Sequence, residues 1–442
     1  MKGGERFMGA GLKVLGHVAA SPLLDRLGMR GVAEELVRDS VRGGFRTAGV
    51  MGRSFRAARR LARPLRVLSA HPAELFDPRP DEEQQLLTDA VRSFALERLR
   101  PAALEADTQC VATPELLETA AELGAAALNV PEALGGAAGE RSAVSNVLIT
   151  EALAQGDAGL AVACLAPVAV ATALALWGSA EQQASYLPSF VAEHAPAAAL
   201  AILEPHPLFD PFALRTTARR SGNGFLLSGT KTLVPLGASA ELFLVAADLQ
   251  GQGPRLFVVE SKTAGLSYTA EPAMGLRAAA TTRLEFKRMA LPASALVDAH
   301  QAADVTSTYA QCVQLARVGW CALAVGVAQA ALDYVAPYVN ERTAFGEPIS
   351  HRQGVAFAVA DMAIELDAMR LLTHRAASRA EHGLAFAREA ALARRLCADK
   401  GAQIGSMAIQ LLGGHGFVKE HPVERWYRDL RAVGLMEGVL LV

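Results

Sequence analysis

The sequence predicts an α+β protein of several domains, in which a helical block, a β block and a second helical block follow one another. Three observations carry that prediction. The chain has 442 residues, room for about three domains of roughly 150 residues each. Apolar residues recur at spacings of three and four from residue 81 to about 194, and again beyond 302. Between about 196 and 296 the pattern changes to short β-type runs separated by glycines and polar turns. With 51% hydrophobic and 20% charged residues, the chain has ample apolar surface for large cores. The segments so marked are 1–79, 80–195, 196–300 and 301–442.

Residues 1–79 read as a basic amphipathic helical extension. Residues 1–75 hold 14 Lys and Arg against 6 Asp and Glu, a balance of +8 that leaves −10 for the rest of a chain of net charge −2. Segments such as FRAARRLARPLRVL put apolar residues at helical spacing with arginines between them. Two readings stand together: peripheral contact with an anionic inner-membrane surface or acidic partner, and a solvated arm packed on its own protein. Nothing in the overall charge calls for nucleic acid. The five cysteines are odd in number and scattered, without CxxC. They read as reduced, buried thiols of a cytoplasmic protein, with no metal site. No signal peptide is expected.

Pro78 and Pro80 mark a boundary, and DEEQQLLTDAVRSFALERL from Asp81 opens on acids as a helix start should. Residues 158–178 carry no charge over 21 positions, long enough to span a bilayer. Alanine dominates that run and Pro167 interrupts it, so two buried helices broken at the proline are predicted rather than a membrane span. In the β block, GFLLSGT, ELFLVAA, RLFVVE and RLEFKRMAL are the predicted strands. The last block holds three long apolar patterns, at about 310–339, 354–382 and 385–412.

Three motifs lie in that last block. In NERTAFGEPISHRQ (340–353) a helix ends near Phe345 and Gly346, and Pro348 prevents its continuation. Arg342 there offers a fork of donors suited to phosphate. In IQLLGGHGF (409–417) a helix ends in Gly413 and Gly414, which permit positive φ and close backbone approach, beside Gln410. ERWYRDLRAVGLMEG (424–438) runs to Glu437, the only charged side chain in the last eleven residues. Chain ends are commonly frayed, so a lone carboxylate there reads first as a solvating residue.

The order and spacing of these motifs resemble the acyl-CoA dehydrogenase family. The family's R-x-x-F-G followed by Gln appears as Arg342, Phe345, Gly346 and Gln353. Its Q-x-x-G-G-x-G-[FY] appears as Gln410, Gly413, Gly414, Gly416 and Phe417, and its R-D and E-G-T as Arg428, Asp429, Glu437 and Gly438. VPEALGG, GSAEQQASYLP and GLRAAATTRLEF extend the resemblance, which covers about residues 80–442. It implies an N-terminal helical domain, a central β-barrel-like domain and a C-terminal four-helix bundle. It also implies FAD as cofactor, an acyl-CoA substrate, an electron-transfer flavoprotein as partner, and a homodimer or homotetramer.

By the same resemblance Glu437 is the base that takes the α-proton. Its apolar sequence neighbours Met436 and Leu440 suggest a poorly solvated and hence more basic carboxylate. Other family members place their base on the long helix of the last block, where this chain has Ala316. Arg317 matches a family arginine that helps to position the active-site loop. Arg342, Phe345, Gln353, Gln410, Gly413 and Gly414 would hold the pyrophosphate and adenosine of FAD. The backbone of Ile202, Leu203 and Glu204 would serve the edge of the flavin ring.

The ring side departs from the family pattern. In LEPHPLFDP (203–211), Leu203 and Phe209 stand where the family has Thr and Ser. In KTLVP (231–235), Leu233 replaces a Trp and Pro235 a Thr. Three or four lost hydrogen bonds at about 1 kcal/mol each would weaken FAD by two to three decades. Two alternatives to a dehydrogenase therefore stay open: a non-catalytic partner subunit with weakened flavin binding, and a flavin monooxygenase or oxidase on the same fold.

Overall fold

The structure, a computed structural model, describes residues 76–137, 139, 141–297 and 305–442. The predicted basic extension, with its two readings, lies outside the described residues apart from its last four positions.

The chain enters its first helical domain through α1 (Glu82–Phe94), whose Asp81 and Gln84 form a reciprocal capping box. Asp81 accepts from the third amide and Gln84 reaches back to the cap, so two otherwise orphaned N–H groups are satisfied. A π-helical turn (Ala95–Leu99) leads into α2 (Arg100–Gln109). After α3 (Pro114–Ala121) come α4 (Ala143–Gly156), α5 (Ala158–Trp177) and the short α6 (Ala180–Tyr186).

The predicted break in α5 does not occur: twenty residues form one helix with Pro167 inside it. Proline forfeits one hydrogen bond and crowds the carbonyl four residues earlier. Ala163 is small, and the helix is buried on almost every side, so packing outweighs that loss. The other long apolar helix, α7 (Val305–Glu341), also passes the length and composition test for a membrane span, and both are largely buried within the protein.

A curled seven-stranded sheet follows, built from β1 (Ala198–Ala201), β2 (Thr217–Ser221), β3 (Gly224–Val234), β4 (Leu242–Leu249), β5 (Pro254–Glu260), β6 (Leu266–Ala270) and β7 (Thr282–Pro292). Its order is β1-β4-β2-β3-β7-β6, with β5 on β4. Edge strands β1 and β6 do not pair with each other, so the sheet is curled rather than closed, in keeping with the barrel-like domain expected. Its inner face packs Phe225 on Phe257 edge to face, their centroids 5.3 Å apart. The β3–β7 register slips between Lys231 and Val234. Such bulges re-aim side chains, and here the slip puts Leu233 at φ +50°.

The last block is α7, a small hairpin (β8, Thr343–Ala344; β9, Glu347–Pro348), α8 (Gln353–Glu381), α9 (Ala387–Leu412) and the short α10 (Val423–Leu430). The long helices match the three predicted patterns within a few residues at each end. α7 stops at Glu341, four residues before the expected end, because Phe345 (φ +57°) and Gly346 (φ +83°) make the hairpin turn. Trp320 on α7 and Trp426 on α10 are fully buried in a core shared with α4 and α5. Of the cysteines, Cys312, Cys321 and Cys397 are buried as expected, whereas Cys110 and Cys164 are partly exposed, and all five are free.

Candidate active site

The segment after α10 is not frayed. Met436, Val439, Leu440 and Val442 are all but fully buried. Gly438 forms an antiparallel bridge with Ala201 at the end of β1, and the Val439 amide donates to the Leu200 carbonyl at 3.2 Å. The Trp320 indole donates to the Gly438 carbonyl at 2.8 Å. Gly438 adopts φ +73°, and a Cβ there would sit 2.8 Å from Ile202 Cγ1. Only glycine meets both demands. The loop is therefore pinned between strand β1 and helix α7, with Glu437 at its turn.

Glu437 is 6% exposed, but its surroundings are not the apolar ones that its sequence neighbours suggested. Arg317 on α7 donates from Nε to both carboxylate oxygens, at 3.0 and 3.1 Å, and from Nη2 to Oε1 at 2.7 Å. Arg394 on α9 donates from Nη2 to the same Oε1 at 3.3 Å and to the Met436 carbonyl at 2.7 Å. The partners come from 120 and 43 residues away in sequence. A desolvated carboxylate survives as an ion only when it is paired in this way. Arg317 was expected near the loop and is found there. Arg394 was not foreseen, because an arginine on a charged helix surface reads as solvated until the packing shows which face turns inward.

The turn after β1 lies on the other side of Gly438. The Ile202 carbonyl accepts from Lys231 Nζ at 2.9 Å, and the Leu203 carbonyl accepts from the Thr232 amide at 3.0 Å. Glu204 points inward: it pairs with Lys231 at 2.8 Å and accepts the Arg215 and Thr216 amides at 2.8 and 2.9 Å. Its side chain thus holds the turn, while the amide groups of this turn remain the polar atoms that suit a ring edge. Burial pushes the Lys231 ammonium down to about 8, against the pull of Glu204. Glu271, which no motif singled out, fixes the β3 bulge by accepting the Thr232 hydroxyl and, at 3.1 Å, the Leu233 amide. Leu203 and Pro235 are buried as core residues.

A concavity of about 1080 Å³ opens at the far end of the bundle. Arg342, Phe345, Gln410, Gly413 and Gly414, all expected to hold a nucleotide, line it together. Gln353 begins α8 beside it but is not among the lining residues. Arg352, Tyr338 and His415 join the lining without having been foreseen. A Cβ at Gly413 or Gly414 would meet nothing within 4 Å, so these backbones face open space that a ligand can approach. The cleft combines two guanidinium groups, an amide side chain, apolar walls and exposed backbone. That set suits a phosphate-bearing nucleotide.

The comparisons with known proteins decide the family. Three family profiles match in succession: Acyl-CoA dehydrogenase, N-terminal domain, over residues 81–194; middle domain, over 199–289; and C-terminal domain, over 310–440. The chain belongs to the acyl-CoA dehydrogenase family. The short-chain specific acyl-CoA dehydrogenase of Bos taurus mitochondria is 34% identical over 367 residues, covering 81% of this chain and 87% of the relative. Among solved structures, the butyryl-CoA dehydrogenase of Megasphaera elsdenii superposes with a TM-score of 0.76 at 28% identity, covering 82% of this chain and 96% of that one. A glutaryl-CoA dehydrogenase of Mycobacterium smegmatis, solved in complex with FADH2, gives 0.73 at 26%, covering 81% and 92%. The acyl-CoA dehydrogenase fold thus accounts for the helical, sheet and helical order of the described residues.

Proposed function

We propose that this protein catalyses the FAD-dependent α,β-dehydrogenation of an acyl-CoA thioester, with Glu437 taking the α-proton. The observation that carries the reading is the built setting of Glu437: a buried carboxylate on a loop pinned to β1, α7 and α9. A frayed or vestigial residue would not hold two guanidinium groups.

Arg317 covers both oxygens of the resting carboxylate, so proton abstraction requires it to give way. Its side chain is 26% exposed against 8% for Glu437, which makes its side the open one. Once Arg317 turns aside, Oε2 has no other partner among the described residues and is the atom placed to receive the proton. FAD supplies the acceptor for the β-hydride. Arg342, Gln410, Gly413 and Gly414 fit its adenosine and pyrophosphate through the open cleft, and the amides of the turn after β1 fit the ring edge. The two electrons then need a carrier, for which an electron-transfer flavoprotein is the expected partner.

The two ends of this site belong to different subunits. Arg317 and Glu341 lie on one continuous helix, 24 residues apart, or about 36 Å at 1.5 Å per residue. Neither Glu437 nor Arg317 lines the nucleotide cleft. A cleft on one protomer therefore serves the base of another, which calls for a homodimer or a dimer of dimers. Phe345 and Phe417, 94% and 89% exposed beside the cleft, suit such a contact, as do Phe357, Ile364 and Leu371 at seven-residue intervals on α8.

A second reading, a non-catalytic partner subunit, draws on the ring side, where Leu203, Leu233 and Pro235 offer no side-chain hydrogen bond to a flavin. One experiment separates the two. The purified protein is titrated anaerobically with a panel of acyl-CoAs headed by butyryl-CoA, and its flavin band is followed. Bleaching is expected in the native protein and absent in Glu437→Gln, which keeps the band. A protein that takes up no FAD, or a Glu437→Gln variant that bleaches at the native rate, sinks the proposal.

A further inference from the structure

We infer that Arg394 is the positioning residue of the Glu437 carboxylate, a fixed clamp that stays in place while Arg317 yields to substrate. The inference rests on the reading of Glu437 as the base, and its first arm below does not depend on catalysis.

The two arginines differ in what they hold. The hydrogen bonds of Arg317 go to the carboxylate rather than to the backbone of the loop. Arg394 spans the Met436 carbonyl and Glu437 Oε1 with one nitrogen. The carbonyl cannot leave without unpinning the loop, so Arg394 remains anchored whatever the carboxylate does. Its side chain is also the more buried of the two, at 14% exposure.

Among the described residues, the Arg394 guanidinium is not fully satisfied. Its Nη1 is enclosed and finds no partner among them. Cys321 and Cys397 flank it, and burial pushes the Cys321 thiol up so that it stays neutral. Arg317 faces it as a like charge. Burial weakens the hold of Arg394 on its own proton, and among the described residues Glu437 is its one full counter-charge. A guanidinium kept for packing or general stability is normally satisfied at every nitrogen. This one is incompletely satisfied, and its recorded bonds all go to the base and the residue before it.

The division of labour follows from these contacts. With Arg317 turned aside, Oε1 stays on Arg394 and fixes the carboxylate plane, so that Oε2 is presented to the substrate in one orientation. Without Arg394 the carboxylate rotates freely about its last bonds. Misplacement of a reacting group by about 1 Å can cost on the order of a hundredfold in rate.

The test uses the full-length, flavin-loaded protein with Arg394→Met, Arg394→Lys, Glu437→Gln and the double variant Arg394→Met/Glu437→Gln. The first arm is a double-mutant cycle read by urea unfolding. The loss caused by Arg394→Met should shrink at least twofold in the Glu437→Gln background, and equal losses in both backgrounds overturn the clamp. The second arm is single-turnover bleaching by butyryl-CoA. Arg394→Met should lower the rate about ten- to a hundredfold with KM changed less than about twofold, and Arg394→Lys should recover about half of that loss on a logarithmic scale. A fall in KM-limited binding with an unchanged rate overturns the inference. If Arg394→Met does not fold, Arg394→Gln takes its place in both arms. Failure of every acyl-CoA to bleach the native flavin counts against the proposed function, and the unfolding cycle then decides the clamp alone.

Discussion

Replacing Lys231 by methionine tests whether the turn beside the base is held by a buried ion pair. Lys231 is fully buried on β3 and its ammonium bridges Glu204 and the Ile202 carbonyl. Burial alone would raise the Glu204 carboxyl, but Lys231 and the Arg215 and Thr216 amides hold it below the usual carboxylate value. The carboxyl is held down and the ammonium, though pushed down by burial to about 8, still carries its proton at pH 7, so the pair is ionised there. Methionine fills similar space without the charge, leaving a carboxylate of 3% exposure with two amide donors and the His206 imidazole 3.5 Å away. Breaking a buried pair from one side costs about 3–5 kcal/mol. The retained amides put this case at the lower end, near about 3 kcal/mol.

The assay is the urea midpoint followed by circular dichroism, with flavin content measured on the same samples. Lys231→Met should lose about 3 kcal/mol and part of its flavin, because the Ile202 carbonyl loses its donor and the turn loosens. Adding Glu204→Gln should restore about 2 kcal/mol, since a neutral amide no longer needs the counter-charge. A Lys231→Met variant within about 0.5 kcal/mol of the native protein would falsify the argument. So would a double variant less stable than the single one.

Two further outcomes follow from neighbouring geometry. Gly438→Ala forces φ +73° on a residue with a Cβ and drives that atom to 2.8 Å from Ile202. It should cost about 1–3 kcal/mol and slow bleaching at least tenfold at unchanged flavin content, and a native bleaching rate would refute the pinned loop. Asp429 is fully buried; burial, with Asp157 adding to it, raises its carboxyl from 3.8 to about 8. The folded state therefore holds a proton that the unfolded chain releases between those values, and stability falls as pH climbs through that window. Between about pH 5 and about pH 8 the native protein should lose roughly 3–4 kcal/mol more than Asp429→Asn does. Equal losses would place the titrating group elsewhere.

Much of the fold is legible because it follows from periodicity. Long helices such as α7 carry their pattern over many turns, and β3, β4, β5 and β7 carry alternating or continuous apolar runs. β1, β2 and β6 escaped because their sequences are AALA, TARRS and LSYTA. An alanine run has no strand signal of its own, and the other two are mostly exposed, so pairing with longer neighbours is what makes them strands. At the site, glycines and motif spacing pointed to Gln410, Gly413, Gly414 and Glu437. The charges that set the chemistry were harder to see. Lys231, Glu271 and Arg394 look like ordinary surface residues in sequence, and only the tertiary fold turns them inward.

The position of the base near the last described residues becomes intelligible from the sheet and the helix that receive it. β1 is only four residues long and runs parallel to β4, so one flank at its end is open to another partner. The segment around Gly438 fills that flank, and Trp320 on α7 takes the remaining carbonyl. Glu437 is thereby referred to the same helix that carries Arg317 at its middle and leads into Arg342 at its end. A rigid helix sets the distance between the base and the nucleotide cleft, and that distance is too long for one ligand to bridge within a protomer. On the proposed reading, pairing of two copies resolves this, because a partner's cleft could approach where its own cannot. On this argument, a variant that keeps the protein monomeric, such as Ile364→Glu with Leu371→Glu, which do not line the cleft, should lose flavin while leaving the Glu437 loop folded. A monomer that retained its full flavin content would show that one protomer holds the whole site.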